Sequence, residues 1–65
     1  MNEALKVRNL AGFNTYVTLS SIVMLAEITE DIQGGYKTLI ETVLGGRYLS
    51  KESPHNILFR LTEET

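Results

Sequence analysis

Sixty-five residues make one domain, 1–65, and a chain this short buries only about 60% of the surface its unfolded form exposes. Eight acidic and six basic residues leave a formal net charge of −2, which argues against broad nucleic-acid binding because that needs a cationic face. With no cysteine and one histidine, disulfides and thiolate metal sites are excluded and an all-protein zinc site is not expected. Small domains without such supports lean on a partner subunit, so self-association is expected.

The first apolar residues are interrupted by Lys6, Arg8 and Asn9, unlike an export signal. The nearly uncharged run 10–26 carries Gly12, Asn14, Thr15, Thr18, Ser20 and Ser21, too short and polar a stretch to span a bilayer. The absence of cysteine fits a reducing compartment. A soluble, cytoplasmic protein with no membrane span is expected.

In chain order, Leu5 and Val7 alternate with Lys6 and Arg8, the periodicity of a strand with one wet face. Gly12 and Asn14 signal a turn, and the β-branched and aromatic run 15–19 predicts a second strand, so residues 4–19 read as a hairpin. Ser20-Ser21 breaks the pattern. Residues 22–28 predict a third strand with Ile22, Met24, Ala26 and Ile28 on one face and Val23, Leu25 and Glu27 on the other. A helix is the rival there, since Met24, Leu25, Ala26 and Glu27 favour it, but Ile22, Val23, Ile28 and Thr29 favour the strand. Because both faces are apolar, the strand is either central or meets another subunit.

Residues 29–35 form a polar loop ending in Gly34-Gly35, and 36–44 predict a long fourth strand. Gly45-Gly46 is a two-residue hairpin signal, and 47–50 return as a fifth strand. Ser53-Pro54 is a helix start, with serine as cap and proline at the first helical position. Ile57, Leu58 and Leu61 make an apolar stripe, and 62–65 should fray. A helix of two or three turns is too short to stand alone and must dock on the sheet. The fold class is therefore α+β: a small, mainly antiparallel sheet of four to five strands with one C-terminal helix packed on it.

Thr38-Leu39-Ile40, Gly45-Gly46-Arg47-Tyr48-Leu49, Lys51-Glu52-Ser53-Pro54 and Ile57-Leu58 together resemble the ending of small FlbD/SwrD-type flagellar proteins. Residues 17–22 resemble their second strand and its exit. The resemblance is best over 38–61, and similar short reading frames are expected in bacteriophage genomes. It implies a β-rich, non-enzymatic regulatory protein with a protein partner. The same ending also resembles the first half of LytTR-type DNA-binding domains, but this chain is too short for the remainder and lacks a basic recognition face.

No catalytic constellation is visible. His55 is the one imidazole and belongs to an exposed first helical turn, while Glu27, Glu30, Asp31, Glu41 and Glu52 are scattered. Glu30-Asp31 reads as a solvated loop pair open to a weak cation contact. Gly34-Gly35 and Gly45-Gly46 lack the Lys-Ser/Thr and helix of a phosphate loop. An anion site is conceivable at the helix start, from Arg47, Lys51, Ser53 and His55. Val23, Leu25, Leu39, Val43, Tyr48 and Phe59 are candidate interface residues.

Three functions follow. The first is a non-enzymatic interaction or regulatory protein working as a homo-oligomer. The second is a phage-encoded inhibitor or sponge for a small anionic ligand, held by Arg47, Lys51 and Tyr48 between subunits. The third is a small nucleic-acid-binding regulator whose symmetry gathers Lys6, Arg8, Lys37, Arg47, Lys51 and Arg60. Salt-dependent nucleic-acid binding would single out the third, and thermal stabilisation by an anion the second.

Overall fold

The structure is a computed structural model that describes residues 3–30 and 34–64. It is a small α+β fold. The strands are β1 (Ala4–Asn9), β2 (Asn14–Thr18), β3 (Ile22–Glu27), β4 (Thr38–Thr42) and β5 (Arg47–Ser50), followed by the helix α1 (Pro54–Glu64). All pairings are antiparallel, in the order β2-β1-β5-β4-β3.

Only a three-residue 3₁₀ turn, Leu19–Ser21, joins β2 to β3, although these are the two outermost strands. In a flat sheet they would stand about 19 Å apart, whereas three 3₁₀ residues rise about 6 Å. The sheet must therefore roll until its two edges approach. Both ends of the turn are tied down accordingly: Leu19 N–H donates to the Glu3 carbonyl (2.9 Å), and Val43 N–H donates to the Ser21 carbonyl (2.8 Å).

The concave side of the rolled sheet holds the core. Leu5 and Val17 face each other across β1 and β2, and Ile40 sits between Leu25 and Tyr48. Leu5, Val7, Val17, Leu19, Ile40 and Ile57 are buried, with Ile22, Leu25, Tyr48 and Leu61 packed against them. The outward face carries Lys6 opposite Tyr16, Arg8 opposite Leu49, and Glu41 opposite Arg47.

Several expectations need correction. The fourth strand is shorter than 36–44, because Val43 and Leu44 belong to the turn. That turn is also not a two-residue loop. Thr42 N–H donates to the Gly46 carbonyl (3.0 Å) and Gly45 N–H to the Thr42 carbonyl (2.9 Å), so Val43, Leu44 and Gly45 connect the strands. Gly45 takes φ +89°, the left-handed residue that closes a three-residue hairpin. The β1–β2 hairpin repeats the pattern, with Asn9 bonded to the Phe13 carbonyl and Gly12 to the Asn9 carbonyl.

β3 is a strand, as preferred, but it lies at an edge of the sheet and is not central. Its faces do not alternate strictly. A register shift between Ile22 and Met24 resets the phase, so Ile22 joins Leu25 on the core while Met24 is exposed. The Ser53-Pro54 start of α1 follows expectation: the helix begins at Pro54, and Asn56 N–H donates to Ser53 Oγ (3.1 Å). Of the apolar stripe, Ile57 is fully buried and Leu61 half-buried, but Leu58 is 52% exposed. Thr62 and Glu63 are helical where fraying was expected, and Thr65 lies outside the described residues.

Candidate functional site

Two surfaces stand out. The first is a groove of about 650 Å³ between β3 and α1, lined by Val23, Met24 and Leu25 on one side and by Pro54, His55 and Leu58 on the other. Its position follows from the edge placement of β3, whose far side pairs with no strand among the described residues. The bulge turns Val23 and Met24 outward, leaving them 59% and 40% exposed. On the helix, Ile57 anchors to the core, which leaves the neighbouring Leu58 over the groove. The groove is thus an apolar strip along a strand edge that no further strand pairs with among the described residues.

The second surface is a cleft of about 280 Å³ on the outward face, lined by Lys6, Arg8, Asn14, Tyr36, Leu49 and Lys51 among others. Tyr36 is brought there by the glycine pair before it. Gly34 has φ +101°, and a Cβ at that position would stand 2.6 Å from Tyr36 Cε2, so the backbone and ring pack where no side chain fits. Arg8 Cζ lies 5.8 Å and Lys51 Nζ 5.6 Å from the Tyr36 ring centre. Arg8 Nη1 also donates a long 3.5 Å hydrogen bond to the Tyr36 hydroxyl.

The four residues considered for a helix-start anion site do not converge. Arg47 is on the outward face and pairs with Glu41 at 3.6 Å. Lys51 leans on Tyr36, and His55 lines the apolar groove. Ser53 Oγ already accepts the Asn56 N–H of its own helix. The Glu52 carboxylate occupies the approach to the helix: it accepts Asn56 Nδ2 (2.5 Å) and pairs with Arg60 Nη2 (3.4 Å). A negative group beside the positive end of the helix leaves little reason for a second anion to bind there.

The six interface candidates are also dispersed. Val23 and Leu25 line the groove, while Leu39 lies on the outward face opposite Leu49. Val43 is at the tip of the β4–β5 hairpin, Tyr48 packs against the core, and Phe59 is 58% exposed on α1. Tyr48 and Arg47 point to opposite faces of β5, so with Lys51 they do not line one pocket within a chain. Met24 and Leu58 were missed as groove residues, because the bulge and the helix docking angle set their exposure. Asp31, named with Glu30 as a loop pair, lies outside the described residues.

Among the described residues, no group of three or more His, Asp or Glu could hold a metal ion, and no helix is long and apolar enough to cross a membrane. The fold and its surfaces define a small α+β sheet domain with an apolar groove beside its β3 edge and a basic cleft on its outward face. No family model, curated protein or solved structure matches the chain.

Proposed function

We propose that this chain is a non-enzymatic interaction or regulatory protein that works as a homo-oligomer, with the β3 edge and the groove beside it as the assembly surface. One observation carries the reading: the unpaired edge of β3 and the exposed Val23, Met24 and Leu58 occupy the same side of the molecule. A second β3 added antiparallel would satisfy the open backbone groups and cover the apolar strip, and the contact would be self-complementary about a two-fold axis. A chain of 65 residues with no cysteine gains most from such a contact, since its own core is small. The resemblance of residues 38–61 to FlbD/SwrD-type proteins supports a further protein partner of flagellar kind.

Sedimentation velocity at micromolar concentration tests this. The expected species is a dimer of the 7.3 kDa chain, converted to a folded monomer by Val23→Lys or Met24→Lys. A wild-type monomer, or a dimer indifferent to both substitutions, would overturn the reading.

A further inference from the structure

We propose that the outward cleft around Tyr36 is a binding site for a small phosphate-bearing ligand, a phosphate monoester or diphosphate. The distribution of charge leads to it. Of the six cations, Arg47 pairs with Glu41 and Arg60 with Glu3 and Glu52. Lys6, Arg8, Lys37 and Lys51 have no carboxylate within 4.0 Å among the described residues, and all of these but Lys37 line one cleft. In a chain of net charge −2, gathering three unneutralised cations is a local choice that opposes the overall balance.

Two of the three cleft cations are also held in place. Arg8 and Lys51 rest against the Tyr36 ring, which positions a cation without cancelling its charge. Arg8 is further confined by the first hairpin, since a Cβ on Gly12 would stand 3.2 Å from Arg8 Nη2. The one carboxylate at the rim, Glu52, is turned to Arg60 and Asn56.

The chemistry selects phosphate. A guanidinium offers paired N–H donors that match two phosphate oxygens, and lysines add point charges. Three positive charges suit a dianion or trianion better than a single carboxylate. The size selects a small ligand: about 280 Å³ falls just below the range of drug-sized pockets. A nucleic-acid strand would need a continuous basic track, and here Arg47 and Arg60 are neutralised by their acidic partners. The cleft shares no lining residue with the β3–α1 groove, so this site stands or falls independently of the oligomer.

The test titrates the full chain with inorganic phosphate, with adenosine monophosphate and with a single-stranded oligonucleotide, followed by backbone amide shifts at about 0.15 M salt. Saturable binding of phosphate or of the monophosphate is expected, with shifts centred on Arg8, Tyr36, Leu49 and Lys51. Arg8→Gln and Lys51→Gln should each weaken it about tenfold or more, whereas Arg47→Gln, the same charge change outside the cleft, should not. If Arg8→Gln fails to fold, Lys6→Gln and Lys51→Gln carry the comparison. Absence of saturable binding at millimolar concentration, or equal weakening by Arg47→Gln, overturns the site. Tighter binding of the oligonucleotide than of the monophosphate overturns the ligand class.

Discussion

The Thr38 hydroxyl donates a 2.6 Å hydrogen bond to the Glu52 carbonyl. It ties the first residue of β4 to the segment that enters α1. Ser50 completes the joint: its Oγ accepts the Glu52 N–H (3.1 Å) and its carbonyl accepts the Lys37 N–H (2.8 Å). Thr38 and Ser50 face each other across β4 and β5 and are buried on the core side, where an apolar pair would normally sit. Their hydroxyls are spent on the turn that aims the helix back over the sheet. Thr38→Val keeps the side-chain shape and removes the donor. The expected loss is about 1–3 kcal/mol, because the Glu52 carbonyl would lose this partner in a part-buried setting. Urea unfolding reads it as a lower midpoint at unchanged slope. An unshifted midpoint would mean that the carbonyl finds water instead.

Ile57 and Phe59 separate docking from decoration on α1. Ile57 is fully buried in the core cluster and Phe59 is 58% exposed. Ile57→Ala should cost about 2–5 kcal/mol, a large part of the roughly 3–10 kcal/mol available to a chain of this length. Phe59→Ala should change thermal stability little. Comparable melting losses in the two variants would show that Phe59 is covered in the protein as it exists in solution.

The local elements were legible because their signals are local. Alternation at Leu5 and Val7, and the Ser53-Pro54 start, need only their neighbours to act. What joins the ends of the chain was not legible. The β1–β5 pairing rests on Arg8 opposite Leu49 and Asn9 opposite Tyr48, some forty residues apart in sequence, and nothing in either segment marks the other. The third strand misled for a different reason: one bulge residue shifts the phase, so a correct strand assignment carried the wrong faces. The basic cleft was half visible. Lys6, Arg8 and Lys51 were grouped only as cations that symmetry between chains could gather, whereas the pairing of β1 with β5 brings them together within one chain. The available signal was an aromatic residue directly after a glycine pair and before a strand, which marks a ring folded against its own backbone.

That ring gives the third prediction. Gly34→Ala faces two obstacles, a φ of +101° and a contact of 2.6 Å with Tyr36 Cε2. The backbone alone should cost about 1–2 kcal/mol, and the Tyr36 ring must move away from Arg8 and Lys51. The ring-proton shifts of Tyr36 and the side-chain shifts of Arg8 should therefore change together. Gly35→Ala has no neighbouring atom within 4 Å, so it carries backbone strain without displacing the ring directly. If both variants perturb Tyr36 equally, the ring is placed by loop conformation and not by the close contact.

The adjacent glycines of the β4–β5 hairpin are held for different reasons, and substitutions can tell them apart. Gly45 has φ +89° and open space around it, so the requirement is conformational. Gly46 has no such φ, but a Cβ there would come within 2.7 Å of the Tyr48 hydroxyl, so the requirement is room. Asparagine tolerates the left-handed region better than other side chains do. Gly45→Asn should therefore retain most of the stability that Gly45→Val loses. At Gly46 asparagine should have no such advantage, because its Cβ meets the same ring. Relief should come instead from Tyr48→Phe, which removes the hydroxyl at the point of contact. The double variant Gly46→Ala with Tyr48→Phe is expected to be less destabilised than the sum of the two single changes, a coupling that a double-mutant cycle in urea measures directly. Strict additivity would place the cost of Gly46→Ala in the backbone.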